Sequence, residues 1–307
     1  MRKRYLALLL LTAVFVSFVS CTAPPVYEET CPPESTAEAA SSETVMETAE
    51  TMDISADIAA NETLSAALDA ALSGLESTWC VYFEDLSTGL SVKAEHGTTC
   101  GESMISASII KLFIAGALYE KVENGELNEE EIASDLYEMI RISDNNAANS
   151  LIELLGDGDA QDGMDAVNMF ARSIGCEHST LNREMLEDNG LQNYVSIDDC
   201  VRVLRMIYRG EFVSREASEK MLRNMLDGYW RDYIPSGFPE GTKIALKGGD
   251  LPELCHGDVG IVFWEDNAYI VCILCNYPET DESCYEKITE ISTLIYERVS
   301  CHGQSDS

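Results

Sequence analysis

The apolar segment MISASIIKLFIAGALY, from Met104 to Tyr119, contains a single charged residue, Lys111. It is shorter than a transmembrane helix usually is, so we interpret it as a buried helix of a folded domain. A lone ammonium group in such a helix is costly unless a partner or a lowered pKa compensates it. Ser108 lies three residues earlier, on the same helix face. A desolvated lysine beside a serine can activate the hydroxyl, so this pair predicts nucleophilic catalysis.

Two further polar groups follow where predicted elements meet. Residues 143–145 (S-D-N) separate the helical patterns EEEIASDLYEMIRI and NAANSLIELLG, and they place a hydroxyl and an amide on an interhelical turn. Residues 247–249 (K-G-G) end the apolar strand pattern TKIALKGG. An S-x-x-K pair alone is expected by chance in a chain of this size, and the other two groups strengthen it. The alternative is structural, with the serines as helix caps and the lysines in solvent.

The remaining patterns predict the elements that position these groups. Helical periodicity covers residues 61–75, with Asn61 as cap, and then about 128–141, 145–155, 160–174, 197–209, 215–226 and 283–299. Strand patterns cover about 79–85, 90–96, 242–248, 257–264 and 268–276. Strands from both chain ends most simply form one antiparallel sheet, with the terminal helices on one face and the helical block as a second lobe. A cleft between sheet and helical lobe is the expected site.

In type, order and context, the three motifs over about residues 60–300 resemble those of the class A β-lactamases, which are penicillin-recognising active-site-serine enzymes. The resemblance implies an α+β fold with a five-stranded antiparallel sheet flanked by terminal helices and an inserted all-helical lobe. It also implies a serine hydrolase that needs no metal or organic cofactor. The expected partner is a small-molecule β-lactam or a cell-wall peptide, and a monomer is expected.

The resemblance implies a catalytic role for three side chains. Ser108 would attack an acyl carbonyl, and Lys111 would hold or accept its proton. Ser143 would relay a proton to the leaving nitrogen.

The same resemblance implies a substrate-binding set. Asn145 would bind the amide side chain of the substrate, and Lys247 would orient a substrate carboxylate. Gly249 and Asp250 belong to this set because the backbone N–H of Asp250, with that of Ser108, would form the oxyanion hole. The neighbouring Asp144 would brace the turn.

Two departures from the family pattern weaken the expected activity. The position after Lys247 normally carries Thr or Ser, whose hydroxyl binds a substrate carboxylate, and here it is Gly248. Class A enzymes also place a glutamate in an E-x-x-L-N loop to activate the deacylating water. The corresponding stretch reads TLNREMLEDNGLQN and puts Met185 at that position, with Glu184, Glu187 and Asp188 nearby. We therefore expect acylation to be faster than deacylation.

The chain ends are expected to lie outside the catalytic domain. Residues 1–21 begin with basic residues, continue with an apolar run and end in F-V-S-C, which resembles a lipobox with Cys21 as the lipidated residue. Plain signal cleavage and an uncleaved anchor remain alternatives. Residues 22–58 are acidic without any basic residue and predict a disordered tether. The domain is then 59–302, followed by a tail at 303–307, in an exported, membrane-anchored lipoprotein.

Charge and cysteine content restrict the partners further. The net charge of −34 repels phosphate backbones and anionic headgroups, which argues against nucleic-acid binding and leaves the lipid anchor as the membrane contact. Eleven cysteines fit an exported protein, and a bridge between Cys255 and the region of Cys275 is one candidate. The C-x-x-C at Cys272 and Cys275 lies in a strand pattern, where the side chains point to opposite faces, so no metal site is expected there.

Three functional hypotheses therefore remain open. The first is a β-lactamase-type enzyme with slow deacylation. The second is a D-Ala-D-Ala peptidase or transpeptidase-like enzyme that uses the same serine. The third is a catalytically silent cell-wall-binding lipoprotein. His256 and Asp258, in the hairpin after Lys247, are expected to be structural, with a position at the cleft border as the alternative.

Overall fold

The computed structural model describes residues 54–302. The predictions for the signal peptide with Cys21, for nearly all of the tether and for the tail at 303–307 concern residues outside this range. The described helices are α1 Ser55–Leu72, α2 Lys111–Glu123, α3 Glu129–Arg141, α4 Asn145–Leu155, α5 Ala160–Ser173, α6 Ile197–Arg209, α7 Arg215–Leu226 and α8 Asp281–His302. The described strands are β1 Thr78–Asp85, β2 Ser91–His96, β3 Met104–Ile105, β4 Tyr194–Val195, β5 Lys243–Leu251, β6 Cys255–Trp264 and β7 Asn267–Asn276.

The main sheet has five antiparallel strands, as predicted, and their order is β2-β1-β7-β6-β5. The first two strands of the chain join the last three because β1 pairs with β7. The β6–β7 hairpin turns at Glu265-Asp266, where Glu265 adopts a left-handed φ of 52°. The short pair β3–β4 is an addition that the sequence patterns do not predict, since two-residue strands carry no periodicity.

The two faces of the sheet have separate hydrophobic cores. One face packs on α1 and α8 through a cluster that includes Leu68, Phe83, Ile273 and Ile295. The other face packs on the helical lobe through a cluster that includes α2 residues such as Phe113. Strand residues alternate between the clusters because successive side chains point to opposite faces. The α+β architecture with flanking terminal helices is therefore confirmed.

The first helix begins earlier than predicted. It starts at Ser55 rather than after Asn61, so the predicted boundary between tether and domain at 58/59 falls inside α1. Asn61 is buried and does not cap the helix; its Oδ1 accepts a hydrogen bond of 2.7 Å from Nε of Arg298 on α8. An asparagine before an apolar pattern resembles a cap in the sequence, and only the partner on α8 reveals its other role.

The disulfide prediction is wrong in its pairing. Cys255 and Cys275 are both free and buried, because Cys255 lies opposite Asn276 in the β6–β7 register. A disulfide instead joins Cys80 on β1 to Cys100 in the loop after β2. Cys272 and Cys275 lie in the cores on opposite faces of the sheet, as expected for their odd spacing. Of the helices between residues 54 and 302, none has the length and apolar character that a membrane span requires.

Candidate active site

Ser108 lies on a tight turn at the entrance to α2. The turn is a 3-10 helix, Ala107–Ile110, which continues directly into α2 at Lys111. Ala107 just before the serine has a φ of 43°, a left-handed conformation that costs a non-glycine residue about 1–3 kcal/mol. Such strain persists where packing enforces it, which is common at functional sites.

The packing that holds this turn comes from Gly249 on β5. A Cβ atom at this position would lie 2.6 Å from the carbonyl oxygen of Ser106 and 3.0 Å from Cγ1 of Ile109. A larger residue would therefore push β5 away from the turn. Glycine allows the backbone of β5, including the next residue Asp250, to approach Ser108 closely.

Lys111 is fully buried behind the site. Its Nζ donates hydrogen bonds to the carbonyl oxygen of Ser143 at 2.7 Å and to Oδ1 of Asn145 at 2.8 Å. Burial, together with the nearby charge of Lys247 and against the opposing effect of Asp144, lowers the pKa of Lys111 to about 6. The amine is thus largely neutral at pH 7, as the sequence analysis requires of a base.

The predicted contact between Lys111 and Ser108 is not formed as a hydrogen bond among the described residues. The two residues are spaced i and i+3 across the 3-10 turn, where side chains eclipse. Ser108 lines the cavity described below, while Lys111 lies beneath it. Nζ also lies 3.3 Å from the carbonyl oxygen of Asp144. A neutral amine still has one lone pair, and catalytic hydrogen bonds are often long before substrate binds.

Residues 143–145 form the turn between α3 and α4. Ser143 has a left-handed φ of 61°, which directs the chain sharply into α4. Asp144 caps α4 by accepting the backbone N–H of Ala147 at 2.7 Å, so its predicted bracing role is confirmed. Asn145 lines the cavity, and because its Oδ1 is bound by Lys111, its amide nitrogen is the atom left for a substrate.

Lys247 approaches the same turn from the sheet. Its Nζ donates to Oγ of Ser143 at 3.0 Å and to the carbonyl oxygen of Gly248 at 2.8 Å. The Ser143 hydroxyl also lies 3.3 Å from Nζ of Lys111, so it connects the two lysines. Burial lowers the pKa of Lys247 to about 7, with Asp258 opposing the shift.

A cavity of about 710 Å³ gathers the predicted residues. Every residue predicted to be catalytic or substrate-binding lines it except Lys111, which is the buried neighbour of two of them, and Cys21, which lies outside the described residues. Side chains that were not predicted to be catalytic or substrate-binding also line this cavity: Arg141, Trp230, Asp232, Tyr233, Asp258 and Tyr285. Half of them, Trp230, Asp232 and Tyr233, come from the loop after α7, whose position relative to 143–145 no local pattern encodes.

Asp258 is a site residue that the sequence analysis judged structural. It lies on β6 directly opposite Gly248, lines the cavity and is only 2% exposed. Its Oδ2 accepts the backbone N–H of Ile234 at 3.1 Å. Burial raises the pKa of Asp258 to about 7, against the lowering effects of that N–H and of Lys247. The sequence offered one signal, an acidic residue within the apolar strand pattern CHGDVGIVFW. It did not show that Gly248 lies opposite this residue on the neighbouring strand.

His256 lies deeper and does have the structural role expected of it. Its ring is fully buried and hydrogen-bonds Oδ1 of Asp281 at 2.8 Å through Nε2. Its Nδ1 lies 3.2 Å from Oδ1 of Asp250 and 3.1 Å from the hydroxyl of Tyr233. Burial opposes the charged imidazole, but the hydrogen bonds to the two aspartates outweigh it and raise the pKa. The network holds the end of β5 beside the cavity.

The loop predicted to lack a deacylating glutamate runs from 180 to 193. Met185 is buried in the core, and Asn149 on α4 binds both its N–H and its carbonyl, at 2.7 Å and 3.0 Å. Burial and the nearby Glu187 and Glu153 raise the pKa of Glu184. None of the acidic side chains of this loop lines the cavity.

The site thus combines a serine, a buried lysine and a hydroxyl that connects two lysines, around a cavity between the sheet and the helices. Comparisons with known proteins identify a family with a site of this kind. A profile described as the Beta-lactamase enzyme family matches residues 131–299, more than half of the chain. The chain therefore belongs to this family, as a member of the class A β-lactamase type. The match includes 143–145 and 247–249 and begins after Ser108. No curated protein matches the chain by sequence.

Solved structures share the fold. PBP-A aligns with a TM-score of 0.68 and 22% identity, covering 78% of this chain and 96% of its own. A mutant of PBP-A, solved as an acyl-enzyme complex with penicillin G, aligns with a TM-score of 0.69 and 23% identity, covering 78% of this chain and 97% of its own. A β-lactamase from Sphaerobacter thermophilus aligns with a TM-score of 0.66 and 22% identity, covering 78% of this chain and 98% of its own. At these identities the likeness establishes the fold alone.

Proposed function

We propose that the protein is an active-site-serine hydrolase that β-lactams acylate on Ser108 and that deacylates slowly. The observation that carries the proposal is the burial of Lys111 beneath a cavity lined by Ser108, Ser143 and Lys247. A lysine held neutral by its surroundings is a base of the strength that a serine nucleophile requires at neutral pH.

Acylation begins when Oγ of Ser108 attacks the carbonyl carbon of the amide. The hydroxyl proton passes to the neutral Nζ of Lys111 as the new C–O bond forms. The oxyanion is bound by the backbone N–H groups of Ser108 and Asp250, which the close packing at Gly249 brings together. One such donor contributes about 3 kcal/mol to transition-state stabilisation.

Collapse of the tetrahedral intermediate breaks the C–N bond. The leaving nitrogen takes a proton through Ser143, whose hydroxyl lies within hydrogen-bond distance of both lysines. Lys111 supplies the proton that it accepted from Ser108, so the amine is neutral again. The products are an ester on Ser108 and, for a β-lactam, an opened ring that stays attached.

Deacylation requires a water molecule activated next to this ester. The loop that carries the base in the family's pattern has Met185 in that position, and its acidic side chains lie away from the cavity. A positioned base is worth about 10²–10⁴-fold, and we expect deacylation to be slower by a factor of that order. The acyl-enzyme should therefore accumulate.

Burst kinetics with a chromogenic cephalosporin test the proposal. The expected result is a rapid burst of product close to one equivalent of enzyme, followed by slow turnover, and no burst with Ser108→Ala. Ser103→Ala, which changes an exposed serine in the preceding loop, serves as the matched control and should keep the burst. Fast linear hydrolysis without a burst would contradict slow deacylation, and no product at all would contradict the hydrolase.

A D-Ala-D-Ala peptidase or transpeptidase-like activity on cell-wall peptides is the second candidate. The position of Met185 favours it, because such enzymes are acylated by β-lactams without needing fast hydrolysis. A catalytically silent binding protein is the third. Mass spectrometry after exposure to a fluorescent penicillin separates them: a lasting adduct excludes the silent protein, and product without any adduct indicates an efficient lactamase.

A further inference from the structure

Gly248 leaves space in the cavity wall that Asp258 fills. A Cβ atom on Gly248 would lie only 2.7 Å from Oδ1 of Asp258, which projects from the neighbouring strand. The carboxyl group of Asp258 therefore occupies the space that a side chain at position 248 would need. Thr or Ser at 248 would be compatible with this structure only if Asp258 moved.

The Oδ1 atom of Asp258 has no hydrogen-bond donor among the described residues. The other oxygen, Oδ2, accepts the N–H of Ile234. Asp258 is only 2% exposed and lines the cavity, so a donor can reach Oδ1 only from the cavity. A substrate group placed beside Gly248 is positioned to supply the missing donor.

Lys247 acts on Asp258 through its charge, which opposes the rise that burial causes in the pKa of Asp258, and not through a direct contact. Its ammonium group is already bound to the Ser143 hydroxyl and to the carbonyl of Gly248. No ion pair between Lys247 and Asp258 is present within the described part of the chain. Among the charged residues that line the cavity, Asp232 and Asp250 add further negative charge, against Arg141.

We propose that Asp258 makes this pocket select substrates with a neutral or cationic hydrogen-bond donor, a primary amide or an amine, beside Gly248, and reject a free carboxylate there. The inference rests on the proposed function, whose acyl substrate occupies the same cavity. In its ionised form, Asp258 can accept a hydrogen bond from an amide N–H or an amine, and it repels a carboxylate placed at the same position. β-Lactams, which carry a carboxylate, would then acylate Ser108 only at high concentration.

Matched ligands on the unreactive Ser108→Ala variant test this selectivity without any chemistry. N-acetyl-D-alanyl-D-alanine and its C-terminal carboxamide differ only in the group in question. We expect the carboxamide to bind at least tenfold more tightly by calorimetric titration. Equal binding, or tighter binding of the free acid, would overturn the inference even if β-lactams acylate the wild-type protein. Selective binding with no acylation of the wild type would instead overturn the proposed function and leave this inference standing.

A substitution assigns the selectivity to Asp258. Asp258→Asn in the Ser108→Ala background preserves size, can still accept the N–H of Ile234 and turns a donor toward Gly248. We expect it to reduce the preference for the carboxamide at least tenfold. Asp266→Asn, in the exposed β6–β7 turn, is the matched control and should leave the preference unchanged. If a folded Asp258→Asn protein kept the same preference for the carboxamide, the selectivity would come from other residues and the proposal would be wrong.

Discussion

At the scale of single residues, the proposed chemistry depends on the burial of two lysine amines away from water. Lys111 and Lys247 are both buried and bind the same Ser143 hydroxyl, and burial is the largest contribution to the lowered pKa of each. The motif residues were predictable because lysines in apolar segments stand out in a sequence. Asp258 was not, because its significance comes from Gly248 on another strand.

Acylation should depend on pH through Lys111. The amine acts as a base only when neutral, so the acylation rate constant should rise with pH and level off above an apparent pKa of about 6. Stopped-flow acylation at subsaturating substrate measures it, and Lys111→Met should reduce the rate by about 10²–10⁴-fold. A flat profile between about pH 5 and 8 would oppose this role.

The acidic residues of the 180–193 loop should not take part in deacylation. Glu184→Gln and Glu187→Gln are each expected to leave the deacylation rate within about twofold of the wild type, because neither side chain lines the cavity and neither replaces a positioned base. Recovery of activity after removal of excess penicillin gives this rate. Slowing of about tenfold or more in either variant would identify a displaced base that the geometry does not show.

At the scale of elements, the site is assembled by contacts between segments distant in sequence. The 3-10 turn carries Ser108, the α3–α4 turn carries Ser143, and β5 carries Lys247. The strand and helix patterns predicted these elements and the sheet well, since each buries one regular face. The early start of α1 and the pair β3–β4 were missed, because neither is distinguished by local periodicity.

Gly249→Ala should damage the site without unfolding the protein. The added methyl would collide with the Ser106 carbonyl and Ile109, so β5 must shift from the nucleophile turn at a cost of about 1–3 kcal/mol. Displacement of the oxyanion hole should slow acylation roughly tenfold or more. Thermal unfolding and burst kinetics together measure both effects.

Gly101→Ala provides the comparison for this change. A Cβ there meets only Oδ2 of Asp198, at an ordinary contact distance of 3.6 Å, so stability and acylation should change little. Equal acylation by the Gly249→Ala and Gly101→Ala proteins would show that the close approach of β5 is not needed for catalysis.

At the scale of the whole molecule, the sheet has a separate hydrophobic core on each face, and it shares one of them with the helical lobe. Within the described range, a single disulfide joins β1 to the loop after β2. The sequence composition pointed to export and disulfides but gave the wrong partners. Pairing depends on where loops pass in space, which spacing along the chain does not encode.

Removal of this disulfide should lower stability. The Cys80–Cys100 bridge closes a loop with a sequence separation of 20, and such a crosslink contributes about 3 kcal/mol. The double variant Cys80→Ala/Cys100→Ala should lose roughly this amount in urea unfolding. Cys301→Ser, at an exposed free cysteine, is the control and should unfold like the wild type. Identical midpoints for all three proteins would contradict a stabilising bridge.

The protonation of the two active-site lysines is the most direct test of the central claim. Titration of a protein labelled with ¹³C at lysine Cε, followed by NMR, reports each amine separately, and Lys111→Met assigns one signal. We expect two lysines to titrate far below the ordinary value of 10.5, with Lys111 near 6 and Lys247 near 7. If every lysine titrated near 10.5, Lys111 would be an ammonium ion at neutral pH, unable to serve as the base for Ser108.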